Sequence, residues 1–234
     1  MTTYIVANWG SNATFKTAEQ WLKDFSHYYT PRPGVEVVVA PPFVFLHDLK
    51  NAIGRYKPDG LALAVQDLSP FPFGEYAGAI AAEMIRGIAN FAILGHFSRR
   101  RYFHETHQEI ANKVSEAVAA EITPILCLDP SYARAQMAAL EDVNLERLIL
   151  AYDPYVPPGP TAAISPRDAG KAVADIAALA PGRPVLYGGP VRPDNVRTYL
   201  DLDQVSGLLV GPASLDPIDF ASICTEAVRE EALA

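Results

Sequence analysis

The chain has 234 residues, half of them apolar, enough for one barrel-sized domain or two small ones with a sizeable core. Its net charge of −8, with no basic block beyond Arg99-Arg100-Arg101, leaves no footprint for nucleic acid or an anionic membrane surface, and weighs against a strongly anionic substrate unless the site is locally positive. No apolar run nears the roughly 18 residues that span a bilayer, and MTTYIVANW lacks the marks of a signal peptide, so a soluble, cytoplasmic protein is expected, its Cys127 and Cys224 being free thiols.

Apolar runs of strand length alternate with segments of helical period. Strands are expected at Tyr4 to Trp9, Val35 to Ala40, Leu61 to Val65, Phe91 to Leu94, Ile122 to Leu128, Leu145 to Tyr152, Val185 to Tyr187 and Leu208 to Val210. Between them a helix starts near Thr17, where TAEQ offers a threonine cap with Gln20 three residues on, and another is FVFLHDLKNAIGRY. Further helical stretches fall near Ala79 to Arg86, Glu105 to Ala120, Ser131 to Leu140, Pro166 to Leu179, Asn195 to Leu200 and Pro217 to Arg229. Strands rich in valine, isoleucine and leucine without alternation are buried on both faces, the habit of parallel sheets covered by helices. Eight such units predict an α/β chain, a single (β/α)8 barrel over residues 1–234. A doubly wound open sheet would favour a glycine-rich phosphate turn after the first strand, and that turn here is Asn8-Trp9-Gly10-Ser11-Asn12.

The stretch FAILGHFSRRRYFHET runs from a buried strand through Gly95 and His96 into an arginine-rich turn and then a helix. A histidine just past a strand end is held by the scaffold yet open to a cleft; it is equally explained by backbone groups that satisfy it. Position separates the two readings. Further strand ends carry Asn8, Gln66, Asp153, Tyr187-Gly188-Gly189 and Gly211, and strand ends on one face of a barrel converge.

ANWGSN, APPFVFL, GHFSRR, PILCL, AYDPYVPPGPT, YGGPV and GLLVGPASL follow one another along nearly the whole chain, and with them it resembles the triosephosphate isomerase family, which implies the TIM-barrel fold. The resemblance implies a reaction that takes a proton from a carbon next to a carbonyl, with a carboxylate as base, a neutral imidazole polarising the oxygen, and a closing lid. It places the imidazole on His96, the base on Asp153, and an asparagine of the site on Asn8. Gly10 stands where the family has a lysine, Asp153 where it has a glutamate, and Phe97 and Ser98 where it has a serine and a glutamate. Arg99, Arg100 and Glu105 match it.

The implied phosphate cradle comprises Gly10, Gly159, Gly188, Gly189, Pro190, Gly211 and Pro212. Two of its backbone donors are gone in any conformation, because Pro190 and Pro212 have no N–H. Each lost hydrogen bond to a charged group is worth roughly 1.5–3 kcal/mol. Pro154, Pro157, Pro158 and Pro160 stiffen the implied lid, where Val156 and Thr161 replace a tryptophan and a glycine. Ala77, Ala79 and Ser98 fall where the family's dimer contacts are polar, so a homodimer is expected to lack that polar lock.

His104 and His107, three apart at a helix start, lack the zinc-protease spacing and an evident third ligand, so solvated helix polarity is the expectation, with no metal and no cofactor. Cys127 is read as a small packed hydrophobe, and His27 and His47 have no assigned role. Three readings remain: a working triosephosphate isomerase, a diverged enzyme using His96 and Asp153 on a small unphosphorylated carbonyl compound, and a non-catalytic binding or scaffolding homologue. The departures at residues 10, 190 and 212 bear on phosphate, whereas His96 and Asp153 bear on proton transfer. That asymmetry favours the second.

Overall fold

A computed structural model describes residues 2–56, 60–157 and 164–228. In chain order the strands and helices are β1 (Thr3–Asn8), α1 (Phe15–Tyr28), β2 (Val35–Ala40), α2 (Phe43–Tyr56), β3 (Leu61–Val65), β4 (Phe91–Leu94), α3 (Phe97–Tyr102), α4 (His107–Ala119), β5 (Thr123–Leu128), α5 (Ala133–Ala138), β6 (Ile149–Tyr152), α6 (Pro166–Ala177), β7 (Val185–Tyr187), α7 (Val196–Leu200), β8 (Val205–Val210) and α8 (Pro217–Glu226). Every strand pairs in parallel with its sequence neighbour, and β1 pairs with β8, so the sheet closes. The expected (β/α)8 barrel is the fold.

Two hydrophobic layers follow from the period of two along each strand. One layer fills the barrel interior with Val6, Val38, Ala64, Ile93, Ile125 and Leu209 among others, and the other packs the strand exteriors against the helices. The interior layer fixes where the site must lie. Two residues beyond Val6, Ala64, Ala151, Leu186 and Leu209 stand Asn8, Gln66, Asp153, Gly188 and Gly211, each at the carboxyl end of its strand.

Several boundaries differ from the expectation for identifiable reasons. The cap of α1 is Thr14, whose hydroxyl accepts from the Thr17 N–H, and Thr17 is the reciprocal partner in that box. The arginine-rich stretch is a helix, α3, with His96 as its cap, so polar composition concealed a helical turn. Leu145 belongs to a short 3-10 segment, Asp142–Arg147, because pairing with β5 begins only at Ile149. The stretch Ala79 to Arg86 holds only a 3-10 turn, Ala82–Ile85. Strand β8 starts three residues early, since Gly207 is a strand residue: a Cβ there would lie 2.0 Å from the Tyr4 carbonyl oxygen, so only glycine fits the close approach. Arg229, the expected end of α8, lies outside the described residues.

Candidate active site

Asp153 is buried directly after β6, and the barrel brings it against the start of α3. The Phe97 N–H donates to its Oδ2 at 2.7 Å, and its Oδ1 lies 3.6 Å from His96 Nε2. Burial pushes the Asp153 carboxyl above the ordinary aspartate range, against the pull of His96, the Phe97 N–H, Cys127 and Arg100. The Cys127 thiol is itself pushed well up, first by burial and then by the charge of Asp153, so it stays protonated and donates toward the carboxylate. Cys127 also packs in the apolar layer of the barrel interior, as expected.

His96 is held from the other side of its ring. As the cap of α3 its Nδ1 accepts from the Ser98 N–H at 3.3 Å, and Ser98 Oγ lies 2.8 Å from the same nitrogen. An acceptor at Nδ1 fixes the neutral tautomer with its proton on Nε2, facing Asp153. The Phe97 ring packs on the imidazole with centroids 4.4 Å apart, so one residue positions both the ring and, through its N–H, the carboxylate.

Asn8, His96, Asp153, Gly188, Gly189, Pro190, Gly211 and Pro212 all line one cavity of about 690 Å³ at the carboxyl-terminal mouth. Gly10 lines an adjoining cleft of about 820 Å³, which Asn8, His96 and Ser98 share. It has φ +58°, a conformation natural to glycine, and its carbonyl accepts from the Gln66 amide at 3.0 Å. Gly159, with Pro158, Pro160 and Thr161, lies outside the described residues. The described part of the loop after β6 is docked: the Tyr155 ring sits 4.3 Å from the Arg101 guanidinium and 5.7 Å from the Phe97 ring.

The floor of the larger cleft is a closed ring of charges. Arg99 reaches Asp67 at 2.8 Å and Glu105 at 2.7 Å, while Lys113 reaches both carboxylates at 2.6 Å. Arg100 turns the other way, donating to the Gly95 carbonyl at 2.8 Å and to Gln136 at 3.0 Å. His107 is engaged by Gln136 at 3.1 Å and Arg100 at 3.3 Å, within that network. Lys113 and Asp67 are positioning residues that the sequence pattern did not single out, whereas Gln66 was among the strand ends expected at the mouth. A signal existed for Lys113, which stands three residues after Ile110 on the apolar stripe of α4 and is 3% exposed.

An imidazole and a carboxylate at the mouth of a parallel barrel define a class: (β/α)8 proteins whose strand ends carry an acid–base pair. The triosephosphate isomerase family model matches residues 3–227, and the chain belongs to that family. It is 31% identical to the triosephosphate isomerase of Symbiobacterium thermophilum, with 99% of each chain covered. It is 32% identical to that of Chlamydia muridarum, covering 94% of this chain and 89% of the relative. A crystal structure of triosephosphate isomerase from Bartonella henselae superposes with a TM-score of 0.80 at 25% identity, covering 96% of this chain and 98% of the other. Among the described residues no helix is long and apolar enough to cross a membrane.

Proposed function

We propose that this chain is a diverged member of the family that moves a proton between a small unphosphorylated carbonyl compound and the His96–Asp153 pair. A carbonyl oxygen would take the Nε2 proton of His96 as its hydrogen-bond donor, which draws electrons from the neighbouring carbon. Asp153 Oδ1, the oxygen not held by Phe97, would take the proton that this carbon gives up. The raised carboxyl suits that role, because a base closer to working pH returns its proton readily. The Asn8 side chain, whose Oδ1 accepts from the Gly10 N–H at 3.3 Å, would orient its amide protons toward the developing oxyanion.

The observation that carries this reading is the contrast between that pair and the rest of the same cavity wall. Pro190 and Pro212 have no N–H to offer an anion, and Gly10 has no side-chain charge. Triose-phosphate isomerisation is accordingly expected to be absent or lowered by several orders of magnitude. A coupled assay reads this out, and a kcat/KM above about 10⁶ M⁻¹s⁻¹, within the range of efficient enzymes, would overturn it. The full-length match to the relatives named above favours a second reading, in which the chain performs the reaction for which they are named. In either reading the protein is a single barrel domain in the cytoplasm. Its homodimer would form with Ala77, Ala79 and Ser98 in place of polar contacts.

A further inference from the structure

The cavity that holds His96 and Asp153 continues along the β7 and β8 side, and that part takes no step in the proton transfer described above. Val156, Pro190, Val191, Leu209, Pro212 and Ala213 line it. Backbone polar groups there are already taken up by the fold. The Gly188 N–H donates to the Tyr152 carbonyl at 2.8 Å and the Arg192 N–H to Asn195 Oδ1 at 2.8 Å, while the Asn195 amide donates to the Pro190 carbonyl at 3.0 Å. The Gly211 carbonyl accepts from the Ser214 N–H at 2.9 Å and from its hydroxyl at 2.7 Å. Pro190 and Pro212 have no N–H at all.

Beyond His96 and Asp153, two charged side chains line the cavity, and neither makes it a site for an anion. Arg192 is drawn to Asp194, with Nε 3.2 Å from Oδ1, and both side chains are mostly exposed. Asp219 is itself negative. It stands in the first turn of α8, whose start is closed by Asp216: one carboxylate oxygen accepts from the Ile218 N–H at 2.8 Å and from the Asp219 N–H at 3.0 Å. The donors that a helix start would turn toward an anion are therefore occupied. What this side offers a ligand is carbon surface, which favours a ligand that covers it with carbon.

We propose that this side of the cavity is a subsite for an uncharged aliphatic tail, so that the carbonyl compound brought to His96 and Asp153 is a short-chain ketone or aldehyde. The inference rests on the proton-transfer reading for the fate of the carbonyl, and on the wall alone for the place of the tail. With the tail against Pro190, Leu209 and Pro212, the carbonyl oxygen takes its hydrogen bond from His96 Nε2. The neighbouring C–H bond breaks, its proton passing to Asp153 Oδ1, its electron pair forming the enolate double bond as the carbonyl π pair moves onto oxygen. Return of the proton restores the ketone, and in D2O a deuteron returns instead. Each methylene that the wall covers should tighten binding about fourfold until the chain outgrows the cavity.

The test uses the full chain with 2-butanone, 2-pentanone and 2-hexanone as a series of growing tail, 4-oxopentanoate as a ketone whose tail ends in a carboxylate, and inorganic phosphate. Ligand-observed NMR gives the dissociation constants, and loss of the α-proton signal in D2O gives the exchange rate. Affinity is expected to rise about fifteenfold from 2-butanone to 2-hexanone, with 4-oxopentanoate and phosphate bound more weakly than 2-hexanone. Ala213→Asp, which sets a charge in the wall, is expected to lower 2-hexanone affinity at least about tenfold. Should that variant melt at room temperature, Pro212→Ser replaces it, with an expected fall of about threefold. Affinity that is flat along the series, or tighter for 4-oxopentanoate or phosphate than for 2-hexanone, would overturn the proposal. The two readings fail separately. Binding in the expected order without exchange above that of Asp153→Asn removes the proton transfer and leaves the subsite, whereas exchange indifferent to the tail removes the subsite and leaves the proton transfer.

Discussion

The two sides of the barrel mouth are built from different materials. On the side of β3, α3 and α4, side chains converge: Asp67, Arg99, Glu105 and Lys113 close a charge ring, Gln66 ties the β1 loop to the Ala40 carbonyl at 2.8 Å, and Phe97 and Ser98 grip His96 and Asp153. On the side of β7 and β8, the cavity wall is Gly188, Gly189, Pro190, Gly211 and Pro212. Apart from Arg192 and Asp219, that wall offers little beyond backbone and apolar groups, and prolines remove part of the backbone's donors. The lesson is that one side positions chemical groups rigidly while the other sets what can bind. Each can change without unmaking its neighbour.

The largest effect should come from equipping the poorer side. Gly10→Lys, Asp153→Glu, Pro190→Ser and Pro212→Gly together are expected to raise triose-phosphate kcat/KM far above the product of the four single changes, since groups acting on one transition state are strongly non-additive. The lysine would enter at φ +58°, a strain of roughly 1–2 kcal/mol, and its Cβ would meet nothing nearer than Asn12 Nδ2 at 3.5 Å. The new charge therefore comes with a tolerable loss of stability. Steady-state kinetics on the singles and the quadruple variant, with thermal melts, measure it. A folded quadruple variant no better than its parent would show that the two sides are not independent, and would favour a binding or scaffolding role.

The converse experiment breaks the richer side. Lys113 is 3% exposed and neutralises two carboxylates, so Lys113→Met should cost up to about 3–5 kcal/mol by leaving Arg99 as the single cation against two carboxylates. Adding Glu105→Gln should recover part of that loss, because the double variant buries one anion fewer. Denaturant melts of both variants read the difference, and a double variant as unstable as the sum of the singles would deny the coupling.

A smaller effect follows from Asp153. Burial raises its folded titration above the unfolded one, so the unfolded chain releases this proton first as pH rises. The group's contribution to stability is thus fully present below the ordinary aspartate value of about 3.9 and is lost as pH climbs through the raised value. Asp153→Asn keeps an oxygen for the Phe97 N–H and removes the titration. Its stability relative to the parent should therefore grow from pH 4 toward neutrality. Parallel melting-temperature curves for the two proteins across that range would contradict the assignment.

Much of this site was legible beforehand, from strand ends that converge on one face and from the family resemblance that gave His96 and Asp153 their roles, and the structure supplies a local reason. Period two along Val6, Ala151, Leu186 and Leu209 carries each inward face on to Asn8, Asp153, Gly188 and Gly211, and that periodicity needs no knowledge of neighbouring strands. The missing donors at Pro190 and Pro212 are likewise covalent facts, true in every conformation. Closure of the barrel decided the rest. The Phe97 N–H meets Asp153 across 56 positions of sequence, and Lys113 meets Asp67 across 46, distances over which no local pattern speaks. Ser98 is the instructive middle case: it is only two residues from His96, yet their contact exists because a stretch read as a polar turn coils into α3 with the imidazole as its cap. Which strand ends face the mouth follows from each segment alone, because side-chain alternation is built into the backbone. Which of those groups touch was settled by barrel closure, because pairing across a barrel depends on register and helix placement that single segments do not encode.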